Sequence, residues 1–391
     1  MQNYSMFAPT RVLFGIGSLS MLGKQKLPGK KALLVISCGK SVRENGYLRR
    51  TEEELVDAGV QWIVFDEVQA NPLKDTVMRG AETAKKCNCD FVVALGGGSV
   101  MDASKAIAAM VTNEGDLWDY VAGGTGKGKA LANAPLPIVA ITTTAGTGSE
   151  VDAYGVISNP ETNEKIGFGG DDRLFPVLAI VDAELTASVP PKYTAYQGFD
   201  ALFHSTEVFI GKFANPLSDM VAKTAIEAVS RNLARAVQDG SDLAAREKIA
   251  FGNTMSGYAM VTGCCTSEHS LEHAMSAYHH ELPHGAGLIM ISKAYYEYFV
   301  NAHVCDERFI EMAKLMGVQD ADKPEDFITA LVDLQRRCGV DELKMSDYGI
   351  KPAEFTKIAQ NAMDTMGGLF AADRVQLSVE DCVSILQKSY K

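Results

Sequence analysis

Six of the seven histidines in this chain crowd into one stretch of its second half: His204, His269, His273, His279, His280 and His284, with only His303 outside it. Asp200 and His204 stand four residues apart in GFDALFHSTE, and His269 and His273 have the same spacing in EHSLEH. On a helix that spacing puts each pair on one face. His284 follows Pro283 and precedes Gly285, which marks a turn or a helix start. An aspartate with several imidazoles suits a borderline divalent cation, Fe(II) or Zn(II). Three histidines and one carboxylate leave a position open for an oxygen ligand, as a catalytic centre requires. A cation there would polarise a carbonyl or stabilise an alkoxide. Each pair alone has an ordinary explanation as a surface helix pair or a packed histidine. Two pairs and a further histidine occurring together point beyond that explanation to a shared cation.

A second chemistry is written in two glycine-rich turns. Gly96-Gly97-Gly98-Ser99 stands where the apolar run FVVAL hands over to a helix-prone segment. Glycine lets backbone approach a phosphate closely, and a helix start offers N–H groups and the positive end of its dipole. The spacing is neither GxGxxG nor a Walker loop. The second turn, Thr142 to Glu150 (TTTAGTGSE), also follows a strand-like run, and its hydroxyls and amides suit a phosphate or a ribose. Two such turns at the C-terminal ends of strands in one sheet would face one crevice, the usual seat of a dinucleotide.

The elements that must hold these residues can be read from apolar patterning. ALLVIS (Ala32–Ser37), WIVF (Trp62–Phe65), FVVAL (Phe91–Leu95), IVAIT (Ile138–Thr142) and LAIVD (Leu178–Asp182) are short apolar runs, as buried strands would be. Helix-prone segments lie between them at Leu48–Asp57, Lys74–Lys86 and Ser99–Val111. The alternation predicts a Rossmann-like α/β domain with a mostly parallel sheet. YGVIS, a turn and KIGF predict a hairpin after Tyr154. Beyond Val189-Pro190-Pro191 strand signals stop, and stretches such as Pro216–Gln238 and Asp242–Val261 carry helical periodicity. The expected division is a dinucleotide-binding α/β domain over residues 1–188 and an all-helical metal-binding domain over 189–391.

Composition sets outer bounds. A chain of 391 residues exceeds one ordinary core. Its formal charge of −12 disfavours a nucleic-acid partner. No run of about 18 apolar residues predicts a membrane span, and the first residues lack a secretory pattern, so a cytoplasmic protein is expected. The eight cysteines form no CxxC pair and read as inert thiols rather than a disulfide framework or zinc knuckle.

Taken together, these motifs resemble the iron-containing (group III) alcohol dehydrogenases over essentially the whole chain. The opening Pro9–Gly15 is similar to that family's first strand, GGGSVMDASKAIA (Gly96–Ala108) to its phosphate-binding motif, and TTTAGTGSE to its second cofactor loop. GFDALFHSTE and HSLEHAMSAYHHELPHG are similar to its two metal signatures. The resemblance implies Asp200, His204, His269 and His284 as ligands of Fe(II) or Zn(II). It implies His273 beside the nicotinamide as the catalytic residue that relays a proton. Gly97, Gly98 and Ser99 would hold the pyrophosphate, with Asp102 near the cofactor. Thr143, Thr144 and Thr147 would line the phosphate and ribose region, with Lys165 reaching a phosphate and Asn71 among the cofactor residues. His269 and His284 stand one position further apart than the corresponding pair in many members. That leaves His279 and His280 as alternatives, although the PHG context favours His284.

NAD-preferring enzymes commonly place a carboxylate after an early strand to grip the ribose 2′-hydroxyl. Here the segment is Ile36-Ser37-Cys38-Gly39-Lys40-Ser41, without one. Ser37, Lys40 and Ser41 could meet a 2′-phosphate, which favours NADP(H) over NAD(H). The reaction expected is hydride transfer between nicotinamide C4 and a small primary or secondary alcohol, or the reverse reduction of an aldehyde, with the metal as Lewis acid. A homo-oligomer, dimeric or larger, is expected. Three alternatives share parts of the pattern: a glycerol-dehydrogenase-like enzyme, a dehydroquinate-synthase-like enzyme, and a non-catalytic sensor of dinucleotide and metal. The second would want a basic pocket near His269–His284, where no Arg/Lys cluster stands.

Overall fold

The computed structural model describes residues 3–391. By internal contacts the chain divides into a unit spanning Phe7–Ser188 and a unit spanning Val189–Lys391, to which the residues through Met6 also belong.

The first unit is built on a six-stranded sheet. In chain order its elements are β1 (Arg11–Phe14), β2 (Lys31–Ser37), α1 (Ser41–Glu44), α2 (Tyr47–Asp57), β3 (Gln61–Val68), α3 (Lys74–Lys86), β4 (Phe91–Gly96), α4 (Gly98–Thr112), β5 (Ile138–Thr142), β6 (Tyr154–Asn159), β7 (Glu164–Gly169) and β8 (Leu178–Val181). The sheet order is β1-β8-β5-β4-β2-β3, and every pairing is parallel. A parallel strand with both faces covered must be apolar at every position rather than at alternate ones. Accordingly β4, β5 and β8 are buried throughout, whereas the edge strand β1 is exposed at both ends. Four of the five apolar runs seen in the sequence are therefore the inner strands β2, β4, β5 and β8, while the fifth, Trp62–Phe65, lies in the edge strand β3. Beneath them Leu34, Ile36, Val93, Leu95, Val139, Ile141 and Ile180 form one core with Leu19, Leu22, Leu48 and Leu55.

β6 and β7 form the expected antiparallel hairpin, a separate two-stranded sheet, with Asn163 in the left-handed region at its turn. The hairpin packs on α4. A buried lysine fastens that junction. Lys105 Nζ, from α4, lies 2.6 Å from Asp152 Oδ1 and Tyr154 O and 2.7 Å from Ser149 O and Oγ. The side chains of Lys105 and Asp152 are only 1% and 4% exposed.

The second unit contains α5 (Pro191–Ile210), α6 (Pro216–Gln238), α7 (Leu243–Thr262), α8 (Ser267–Tyr278), α9 (His284–Ala302), α10 (Asp306–Leu315), α11 (Glu325–Arg337), α12 (Phe355–Phe370) and α13 (Val379–Ser389). Its helix starts carry ordinary signals. Asn215 caps α6 in a capping box with Ser218, Asp242 caps α7, and Ser378 caps α13. The central helices differ from these amphipathic ones. From Thr194 to Ile210 every residue of α5 except Gln197 is buried, and so is every residue of α8 before Tyr278. A helix surrounded on all sides is normally apolar all round, yet these two carry the aspartate, three of the histidines and several glutamates. No helix among the described residues is long and apolar enough to cross a membrane.

Breaking a buried ion pair on one side costs about 3–5 kcal/mol, because the partner charge is stranded. Lys105→Met should therefore destabilise the first unit by that order. A lowered midpoint in denaturant unfolding would register the loss, and an unchanged one would contradict this role for Lys105.

Candidate metal centre and dinucleotide loops

Three helices of the second unit aim nitrogen at a single oxygen. Asp200 and His204 sit one turn apart on α5, with His204 Nε2 3.6 Å from Asp200 Oδ1. From α8, His269 Nε2 lies 3.4 Å from that oxygen, and His284 Nε2, on the first residue of α9, also lies at 3.4 Å. The rings of His204 and His269 stack with centroids 4.4 Å apart. Asp200, His204 and His269 are buried, and His284 is partly so. The donor set fits a divalent cation: one hard carboxylate oxygen and three imidazole nitrogens converge in a site largely withdrawn from water.

Two glycines allow this approach. A Cβ on Gly285 would stand 2.2 Å from the backbone oxygen of Tyr196, one turn before Asp200 on α5. A Cβ on Gly287 would stand 2.7 Å from Glu272 Cγ. The start of α9 can thus press against α5 and α8 and deliver His284 to the cluster.

The electrostatics favour positive charge. Burial would raise Asp200, but His204, His284 and His269 outweigh it and hold its carboxyl well below the usual range. Burial would lower His269, but Glu207 and Asp200 outweigh it and hold the ring at about 10. Further back, burial and then the charge of Glu207 push Glu268 well above the ordinary carboxyl range. Burial pushes Asp373 up to about 7. The imidazoles also carry outer partners that the sequence reading missed. His269 Nδ1 contacts Glu207, and His284 Nδ1 contacts Glu272. Both glutamates lie inside the quoted motifs, three residues after His204 and His269 respectively, and that spacing was the available signal. Cys265 was missed as well: its sulfur and a nitrogen from each of His204 and His269 lie within 4.8 Å of one another.

His273 lies beside the cluster, its ring centroid 5.1 Å from that of His284 and 6.2 Å from that of His269. Its Nδ1 is 2.8 Å from the sulfur of Met366, where α12 kinks ahead of Gly367-Gly368. The two alternative histidines stand elsewhere. His279 Nε2 is 3.4 Å from Glu354 Oε1, and His280 is exposed.

In the first unit the two glycine-rich turns meet. Gly96 and Thr142 are register partners at the ends of neighbouring strands β4 and β5. A Cβ on Gly97 would stand 2.7 Å from Thr144 Cγ2, and one on Gly98 would stand 2.3 Å from Thr147 Cγ2. These glycines serve close packing of loop on loop as well as any phosphate. Ser99 lies in the first turn of α4, which holds no acidic residue and whose N-cap makes no side-chain hydrogen bond, so the helix start suits an anion. Thr143 N donates to Gly96 O at 2.9 Å. Asp102 is turned to an internal task, accepting from Ser149 Oγ at 2.9 Å and from Val156 N at 2.9 Å. Burial pushes its carboxyl up to about 6, although Lys105 opposes this.

The remaining expected cofactor residues fall in two places. Asn71, in the left-handed region, precedes Pro72, whose oxygen accepts from Ser158 N at 2.8 Å. Ser158 is the register partner of buried Lys165, so the structure brings Asn71 and Lys165 to the same hairpin. Ser37 ends β2, while Lys40 and Ser41 are exposed beside it.

Family profiles match both units: that of the iron-containing alcohol dehydrogenases over residues 9–183, and that of the family's C-terminal region over residues 194–390. The chain belongs to the iron-containing alcohol dehydrogenase family, and its class is that of alcohol dehydrogenases, oxidoreductases of a family that uses iron or a similar metal with a nicotinamide cofactor. It is 35% identical over 373 residues to 1,3-propanediol dehydrogenase of Klebsiella pneumoniae, covering 92% of this chain and 93% of that one. It is 30% identical over 405 residues to NADH-dependent butanol dehydrogenase A of Clostridium acetobutylicum, covering 100% of each. Among solved structures, the alcohol dehydrogenase of a halo-thermophilic archaeon from a Red Sea brine pool superposes with a TM-score of 0.94 at 33% identity, covering 100% of this chain and 99% of that one.

Replacing Gly98 with Val drives a side chain onto Thr147. Dinucleotide binding, followed by nicotinamide fluorescence, should fall sharply while metal uptake by the second unit is unchanged. Parent-like binding in Gly98→Val would contradict the packing argument.

Proposed function

We propose that this protein is a metal-dependent, nicotinamide-linked alcohol dehydrogenase that also runs in reverse as an aldehyde reductase. The observation that carries the reading is the convergence of three Nε2 atoms on Asp200 Oδ1 at 3.4–3.6 Å. Asp200, His204, His269 and His284 would hold Fe(II) or Zn(II). Such a cation supplies Lewis acidity toward an alcohol or carbonyl oxygen when bound, and the nicotinamide exchanges the hydride at C4.

The chain's own residues do the rest. Gly97, Gly98, Ser99, Thr143, Thr144 and Thr147 position the dinucleotide, with Asn71 and Lys165 at the neighbouring hairpin. His273, buried beside His284, takes up the hydroxyl proton as the carbinol carbon loses its hydride, and returns it in the reverse direction. The burial of Asp200, His204 and His269 keeps bulk water from the reacting oxygen. Small primary and secondary alcohols are the substrate class, supported by relatives named for 1,3-propanediol and butanol.

We assign NADP(H) as the preferred cofactor, supported by exposed Lys40 and Ser41 in a loop without a carboxylate. The butanol dehydrogenase relatives named as NADH-dependent stand on the other side of that choice. The ratio of kcat/KM with NADPH to that with NADH measures the preference directly, and Lys40→Ala should lower it. A ratio below one in the parent protein would reverse the assignment.

The central test is His269→Ala. The variant should lose metal-dependent turnover of short alcohols and aldehydes while retaining dinucleotide binding. Full activity in that variant would refute the assignment of the centre.

A further inference from the structure

Glu207 and Glu272 have no exposed surface, and each reaches from one ligand helix to the imidazole of the next. Glu207, on α5 with Asp200 and His204, meets His269 Nδ1 on α8; Glu272, on α8 with His269, meets His284 Nδ1 on α9. The second oxygen of each glutamate is also fixed. Glu207 Oε2 accepts from Thr266 N at 2.7 Å and from Thr266 Oγ1 at 2.9 Å. Glu272 Oε1 accepts from Ser276 Oγ. The absence of a side chain at Gly287 leaves room for Glu272, since a Cβ there would come within 2.8 Å of its Oε1.

We propose that Glu207 and Glu272 are positioning residues of the cation centre, each pinning the outer N–H of a ligand imidazole so that its Nε2 lone pair faces Asp200. A carboxylate only accepts hydrogen bonds, so the ring nitrogen against it must donate. In a neutral imidazole the other nitrogen is then left as the acceptor, the form a metal requires. A partner of this kind fixes both ring orientation and tautomer, and raises the basicity of the ligand. Packing alone does not account for these acids, since burying a carboxylate is unfavourable without a strong polar partner. The inference rests on the cation reading above.

Glu272 gives the cleaner test, because Glu207 also holds the backbone at the start of α8. The full-length protein is stripped of metal, reloaded with Zn(II), and its dissociation constant measured by chelator competition. Glu272→Leu should weaken Zn(II) by about 10–100-fold, and Glu272→Gln, which keeps an acceptor oxygen, by less. In low-field proton NMR of the Zn(II)-loaded protein, the His284 Nδ1–H signal should vanish with Leu. With Gln it should move upfield, since a neutral acceptor bonds more weakly than a charged one. An affinity within about twofold of the parent in folded Glu272→Leu would overturn the inference. Should that variant not fold, an unchanged His284 signal in Glu272→Gln would do the same. Failure of the parent protein to bind Zn(II), Fe(II) or Co(II) would overturn the cation reading and this inference with it; a parent that binds, beside an unaffected variant, overturns only the latter.

Discussion

The second unit is organised around the cost of placing charge where water is scarce. An isolated carboxylate or imidazolium in a protein interior is strongly disfavoured. Here Asp200, Glu207 and Glu272 lie buried among His204, His269 and His284, and each charge is tolerable only because its neighbour is present. Removing one member strands the rest. His284 adds a further constraint. As the first residue of α9 it stands at the positive end of a helix dipole, which disfavours a cation nearby. The carboxylates of Asp200 and Glu272 offset that field.

Small residues set the spacing that makes these contacts possible. Gly285 and Gly287 let α9 come against the backbone of α5 and the side chain of Glu272, as Gly97 and Gly98 let one cofactor loop rest on Thr144 and Thr147 of the other. Gly97 and Gly98, which read as ligand-binding signals, are thus packing devices as well. The two explanations are linked, because the close approach is what creates the shape a ligand would meet.

The sequence made the architecture readable where one physical rule dominated. Strands covered on both faces must be apolar throughout, so β4, β5 and β8 stood out as continuous runs, and the shift to helical periodicity after Val189-Pro190-Pro191 was equally plain. Four-residue spacing placed Asp200 with His204 and His269 with His273 on shared helix faces. It could not say which helix each face would meet. Glu207 and Glu272 therefore went unremarked in motifs already singled out, and Cys265 was set aside as an inert thiol although it lies against His204 and His269. Asp102 shows the converse. Its place after the glycine turn pointed toward the cofactor, yet its carboxylate is engaged by Ser149 and Val156. Partners distant in sequence decide such cases, and spacing along one helix carries no information about them.

The buried ammonium of Lys105 has a consequence for recognition. By gripping Ser149, Asp152 and Tyr154 at once, it ties down the far end of the Thr142–Glu150 loop. A loop already rigid loses little conformational freedom when a guest arrives, so preorganisation rather than added contacts would strengthen its hold. The loop's ordering entropy is then met on folding, by the same Lys105 contacts that stabilise the first unit, and not at the moment of binding.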